Sequence, residues 1–330
     1  MRVRNRRLLT AAVAVVVAVG VPFLVNAVSV QPGAAIVKAL FELKPAVNPP
    51  PGYGELAAKV SAVRDVAVPV DGAPEAKLDV YAPKERSGAP LPMILWIHGG
   101  GFISGSKEAV GDYAVMLAAN GYVVASLDYS LAPGTRYPAP VQQANAALRQ
   151  LAAHAGEYGG DPAKVFVGGD SAGAQIASQT AALVTNPALA SAMRLTPGLP
   201  AASLRGALLF CGLYDMKTVG DSGFPALQTF TWSYLGRRDW PDDPRLPQLS
   251  ATGQVTNAYP ATLLTVGDQD PFEGQGHEMV TALQRAGVEV RSRFYTGAGL
   301  GHEYQFDFSH PESNEFFRMT LDFLTERSAA

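Results

Sequence analysis

The sequence predicts an α/β protein: a mostly parallel central sheet flanked by helices on both faces. Three observations carry that prediction. Apolar strand-like runs alternate with helical stretches from residue 92 to the C-terminus. A hairpin precedes them, with alternating residues at 63–70 and 77–81 on either side of Asp71-Gly72. The run Val165-Phe166-Val167 then leads into Gly169-Asp170-Ser171-Ala172-Gly173, a serine on a sharp turn between a strand and a helix.

After the hairpin, 92–97 reads as a buried strand, 107–120 as a helix and 122–128 as another strand. A helix at 140–155 precedes the strand at 165–167, and the next helix begins at Ala172. Strands recur at 206–211, 261–266 and 288–294, with helices at 276–286 and 311–326. Parallel neighbours need crossovers, and the intervening helices supply them. Residues 213–259 break the alternation. They hold Phe224, Phe230, Trp232, Tyr234 and Trp240 among prolines and charges, and such length without a strand marks a functional insertion.

The N-terminus follows another logic. Arg2, Arg4, Arg6 and Arg7 precede an apolar run at 8–25, so 1–27 reads as a signal peptide or an N-terminal membrane anchor. Pro22 and Val25-Asn26-Ala27 suit cleavage; as a helix the run spans about 27 Å, just enough for an anchor. Either way the positive flank predicts an exported body, secreted or held at the membrane. The proline-rich stretch 45–51 makes 28–62 a linker-like segment ahead of a catalytic domain at 63–330.

The chain has 330 residues, 48% hydrophobic and 17% charged, which suits one sizeable globular body. Its net charge of -3, with no basic run interleaved with aromatics beyond the N-terminus, argues against nucleic acid as a partner. Cys211, the single cysteine, excludes an intramolecular disulfide, and its apolar surroundings read as those of a buried structural thiol. The five histidines are scattered without H-E-x-x-H spacing, so neither a metal nor a cofactor is expected.

A glycine-flanked serine alone is weak evidence for catalysis; its companions strengthen it. His98-Gly99-Gly100-Gly101 closes the strand at 92–97, and side-chain-free backbone there lets amide N–H groups converge on an oxyanion, joined by that of Ala172. His98 itself reads as a loop-shaping residue. Asp268-Gln269-Asp270-Pro271 follows the strand 261–266; Asp270, held extended by Pro271, is favoured as the orienting carboxylate and Asp268 as a turn residue. His302 follows the last strand in a glycine-rich loop and is the candidate base, with His154, His277 and His310 read as surface or helix-end residues. Ser171, Asp270 and His302 thus occur in the order nucleophile, acid, base. The rate is expected to rise as His302 loses its proton, near the ordinary value of about 6.5.

Together, His98-Gly99-Gly100-Gly101, Gly169-Asp170-Ser171-Ala172-Gly173, Asp270-Pro271 and His302 resemble the bacterial hormone-sensitive-lipase-type esterases of the α/β-hydrolase superfamily. Asp128-Tyr129-Ser130-Leu131-Ala132-Pro133 and Tyr137-Pro138-Ala139-Pro140 are similar to two further segments of that family, over about 63 to the C-terminus. Ser130 and Gly134 depart from the family's Arg and Glu, and Ala174 from a further glycine. The resemblance implies an α/β-hydrolase fold with a small helical cap, built from the N-terminal segment and the insertion at 213–259. It implies Ser171 as nucleophile, His302 as base, Asp270 as orienter, and the N–H groups of Gly100, Gly101 and Ala172 as oxyanion donors. The expected activity is hydrolysis of small-molecule or lipid esters through an acyl-enzyme, without cofactor. Amidase, thioesterase or acyltransferase chemistry would use the same triad, and a silent binding protein would share only the fold.

Overall fold

The computed structural model describes residues 29–43, 45–85 and 88–329. The expected leader at 1–27 therefore lies outside the described residues. Eight strands form one sheet in the order β1-β2-β4-β3-β5-β6-β7-β8. β1 (Val60–Val68) and β2 (Ala76–Pro83) make the antiparallel hairpin, and β2 also pairs antiparallel with β4 (Val123–Asp128). β3 (Leu91–Ile97), β5 (Gly160–Asp170), β6 (Leu204–Phe210), β7 (Thr262–Val266) and β8 (Val290–Phe294) complete the sheet, with every remaining pairing parallel.

The helices, in chain order, are α1 (Gln31–Phe41), α2 (Tyr53–Ala58), α3 (Gly111–Ala119), α4 (Ala139–Ala153), α5 (Ala155–Tyr158), α6 (Ala172–Thr185), α7 (Pro187–Met193), α8 (Leu227–Leu235), α9 (Leu246–Leu249), α10 (Glu273–Arg285) and α11 (Pro311–Ala329). Helix α3 starts four residues later than the sequence predicts. Lys107 instead turns inward, 4% exposed, and meets Asp79 at 3.2 Å and Asp65 at 3.3 Å. A buried ammonium needs such partners, and they lie off any helical path.

Strands β3 to β7 are buried on both faces, which is why they read as continuous apolar runs rather than alternating ones. Beneath the sheet's carboxyl edge Trp96 packs on Tyr113 and Phe210, with centroids 5.0 and 5.2 Å away, and Phe210 meets Phe316 at 5.1 Å. Fully burying one such side chain contributes roughly 2–3 kcal/mol.

Strand order positions the site. From β3 the chain goes to β4 on one side, then returns to place β5 on the other. That reversal leaves a crevice at the carboxyl ends of β3 and β5, where open parallel sheets hold their ligands. Ile97 pairs with Gly169 there, so the loops after the two strands start side by side.

Candidate active site

Ser171 takes φ 50° and ψ -120°, a conformation strained for any residue with a Cβ, and it directly precedes α6. Its N–H donates to Phe210 O at 2.8 Å, which locks the turn to β6. The glycine two residues on serves close approach. A Cβ on Gly173 would lie 2.0 Å from Ile97 O, so α6 presses directly on the end of β3.

His302 brings three strand ends together. Asp270 is fully desolvated and its carboxylate can only accept, so Nδ1–H of His302 donates to Asp270 Oδ2 at 2.8 Å. Nε2 is left with its lone pair, and the Ser171 hydroxyl donates to it at 2.9 Å. Asp270 is held in turn by Phe272 N–H, which donates to Oδ1 at 2.9 Å. The rings of Phe224 and Phe272 stand edge-on to the imidazole at 4.9 and 5.5 Å.

Gly100 and Gly101 sit at φ 102° and 59°, backbone shapes that a glycine adopts without strain. The loop closes tightly: Gly100 O accepts Ser104 N–H at 3.0 Å and the Ser104 hydroxyl at 2.9 Å. Gly100 and Gly101 line the cavity above Ser171, and Ala172 is the fully buried first residue of α6. Asp170 ties this loop to the sheet: Trp96 Nε1–H donates to its Oδ1 at 2.9 Å and Gly99 N–H to its Oδ2 at 2.7 Å. Burial and the neighbouring Glu303 carboxylate hold the Asp170 carboxyl well above the usual range.

His98 shapes the loop, as the sequence suggests: its Nδ1–H donates to Gly99 O at 2.7 Å and the ring stacks on Tyr129 at 4.3 Å. Asp268 is more than a turn residue. Its carboxylate accepts N–H groups from Ala298, Gly299 and Leu300 at 2.8, 3.1 and 2.6 Å, pinning the loop that carries His302. Those three donors keep its pKa below the ordinary value, Leu300 foremost. Asp268→Ala is expected to lower kcat/KM by about ten- to a hundredfold through misplacement of His302. Steady-state kinetics check this, and an unchanged rate would remove Asp268 from the site's support.

Three other features were not legible beforehand. Cys211 is buried as expected, yet its Sγ lies within 4.8 Å of ligand atoms of Asp270 and His302. Among the described residues these three form the cluster able to hold a metal ion, but the imidazole is already bonded to Asp270 and Ser171. Ser130, standing where the resemblance expects Arg, joins a neutral network instead: Gln143 accepts its N–H at 2.9 Å and donates to its hydroxyl at 2.8 Å. Of the insertion's aromatics, Phe224 and Phe230 reach the cavity. Tyr234 instead stacks on Phe102 at 3.9 Å, Trp240 is buried, and Trp232 lies under Arg238.

The histidine departs from its ordinary value. Burial works against the charged imidazolium, while the adjoining Cys211 sulfur and the Asp270 carboxylate favour it, and together they raise the pKa. The Cys211 thiol, pushed up to about 11 by burial, is uncharged in the neutral range. A base must be neutral to take a proton, so a raised pKa moves the acid limb of the rate upward. The pH profile of kcat/KM is expected to inflect above about 6.5 and to fall back toward it in Asp270→Asn. An inflection at or below the ordinary value in the native protein would contradict this.

The model of one family, described as the alpha/beta hydrolase fold, matches residues 94–305, a span holding the glycine loop, Ser171, Asp270 and His302. The chain belongs to that family. Within it the sequence is 29% identical over 244 residues to the carboxylesterase NlhH of Mycobacterium tuberculosis, covering 69% of this chain and 71% of that one. It is 28% identical over 252 residues to the versiconal hemiacetal acetate esterase of Dothistroma septosporum, covering 74% and 76%. Among solved structures it superposes on a bacterial heroin esterase with TM-score 0.70 and 29% identity, over 83% of this chain and 88% of that one. Esterase B of Lactobacillus rhamnosis shares the fold with TM-score 0.77 at 22% identity, over 91% and 94%.

Proposed function

We propose that this protein is a serine carboxylic-ester hydrolase in which Ser171 is the nucleophile, His302 the general base and Asp270 its orienter. The observation that carries the reading is the unbroken chain from Asp270 Oδ2 through His302 to Ser171 Oγ, with links of 2.8 and 2.9 Å. It opens on a cavity of about 840 Å³. Ser171 Oγ attacks the ester carbonyl as its proton passes to Nε2, and the charge that develops falls to the amides of Gly100, Gly101 and Ala172. The imidazolium, stabilised by Asp270, then protonates the leaving alcohol. Water, deprotonated by the same nitrogen, releases the acid. Similarity to esterases supports ester cleavage over amide cleavage. A fluorophosphonate probe followed by peptide mapping tests it: labelling at Ser171 with hydrolysis of 4-nitrophenyl acetate is expected, and an inert, unlabelled protein would overturn the reading.

The residues 28–62 and 213–259 are proposed to form a cap over this cavity. In support, Phe41, Val47 and Asn48 line it from one side and Phe224 and Phe230 from the other, while α1 lies against α8.

For location, the proposal is an exported protein, secreted or anchored through 1–27. The arginine-flanked apolar run supports it, as do Ile36, Leu40 and Leu43, exposed by 62, 60 and 76% on and just beyond α1. Among the described residues no helix is long and apolar enough to cross a membrane. Cell fractionation is expected to find the full chain in the membrane or the medium, and a chain starting after Ala27 in neither; a full chain confined to the cytosol would refute this.

A further inference from the structure

The cavity over Ser171 has an uneven charge. Among the described residues six that line it are acidic, Glu42, Glu108, Asp112, Asp170, Glu303 and Asp307, and none is Lys or Arg. Of the described lysines, two reach its rim from outside: Lys38 meets Glu42 at 2.7 Å, and Lys107 bonds Glu108 while also serving Asp65 and Asp79. Among the described residues Asp112 accepts only the neutral Tyr53 hydroxyl, at 2.6 Å. Asp307 accepts from Asn48 and Ser309 and lies 3.7 Å from His310. Even with Asp170 left out of the balance, the described residues of the wall keep an excess of negative charge.

Glu303 stands beside the base. It follows the base directly, takes a left-handed φ of 61°, and holds Oε1 3.8 Å from His302 Nε2.

Two independent features of the same cavity suit a cationic group. His98, 1% exposed, lines it with Nδ1–H committed to Gly99 O, so Nε2 is an acceptor; that atom is buried without a hydrogen-bond partner. Burial lowers the imidazole's pKa and keeps that lone pair available. The rings of Phe41, Phe224, Phe230 and Phe306 also face the space, and aromatic faces attract ammonium groups.

We propose that the cavity takes esters bearing an ammonium group, and that Glu303 is the carboxylate that holds this group beside the reacting carbonyl. The proposal rests on the ester-hydrolase reading above and names its substrate class. An anionic ester meets repulsion at the same wall.

The test compares isosteric pairs, each rate divided by its hydroxide-catalysed rate. On the alcohol side the pair is acetylcholine and 3,3-dimethylbutyl acetate; on the acyl side it is the 4-nitrophenyl esters of 4-(trimethylammonio)butanoic and 5,5-dimethylhexanoic acid. In at least one pair the cation-to-neutral ratio of kcat/KM is expected to be about tenfold or more, and to shrink as sodium chloride rises from about 20 to about 500 mM. In Glu303→Gln the ratio falls toward unity, and Glu303→Asp restores part of it. The ratio is read within one variant, so any effect on His302 cancels. Ratios at or below unity in both pairs, or insensitive to salt, overturn the ammonium proposal even if the neutral esters are cleaved; a ratio unchanged in Glu303→Gln overturns Glu303's part. If every ester, 4-nitrophenyl acetate included, is inert, it is the hydrolase reading that fails.

Discussion

Replacing Ser171 by alanine is expected to lower kcat/KM for 4-nitrophenyl acetate by about a million-fold, with the melting temperature held within about 2 °C. The substitution deletes Oγ and the 2.9 Å bond to His302 Nε2, and nothing else. Alanine keeps the Cβ, so the turn at φ 50° is strained as before. The backbone bonds that fix it, Ser171 N–H to Phe210 O at 2.8 Å and Gln175 N–H to Ser171 O at 3.2 Å, survive. Kinetics and thermal melts by circular dichroism measure both halves. Residual activity within about tenfold of the native rate would show that another group is the nucleophile.

The second large effect is structural. Gly173→Ala puts a methyl where a Cβ would lie 2.0 Å from Ile97 O and 2.5 Å from His98 O. Both are main-chain atoms at the end of β3, so no rotamer change relieves the clash. Helix α6 must withdraw from the strand, carrying Ser171 and Ala172 away from the glycine loop. Overpacking of this kind costs about 3 kcal/mol or more, a drop of about 6–12 °C in Tm, and misplacement lowers kcat/KM by about a hundredfold or more. Gly156→Ala is the control, because a Cβ there meets nothing within 4 Å. If Gly173→Ala melts and turns over like the native protein, the close approach of α6 to β3 is not what holds the elbow.

Much of the frame was legible in advance because it is written locally. A strand announces itself by a short apolar run, and all eight appear within a few residues of their expected places. The candidate triad was legible for a related reason: each member follows a strand, and the order of strands along the chain fixes the order of Ser171, Asp270 and His302. The late start of α3 was not legible, because the ion cluster around Lys107 draws on Asp65 and Asp79 from the distant hairpin.

The supporting contacts follow the same division. Asp268 and Cys211 each had a sound local reading, a turn and a buried thiol; the role of Asp268 in pinning the loop and the place of Cys211 beside the base come only from neighbours far along the chain. The bond from Gly99 to Asp170 spans 71 positions and exists because β3 and β5 pair in the register Ile97 to Gly169.

By itself, then, the sequence determined the α/β alternation, the sharp turn at Ser171 and the residue types able to act there, since turn chemistry and hydrophobic periodicity need only adjacent residues. Only the tertiary structure decided that His302 reaches a serine 131 positions away, that Asp268 pins the loop carrying it, and that carboxylates from the residue after α1, from α3 and from the loop after β8 share one wall. These depend on sheet register and helix packing, which bring together groups whose local sequence carries no sign of one another.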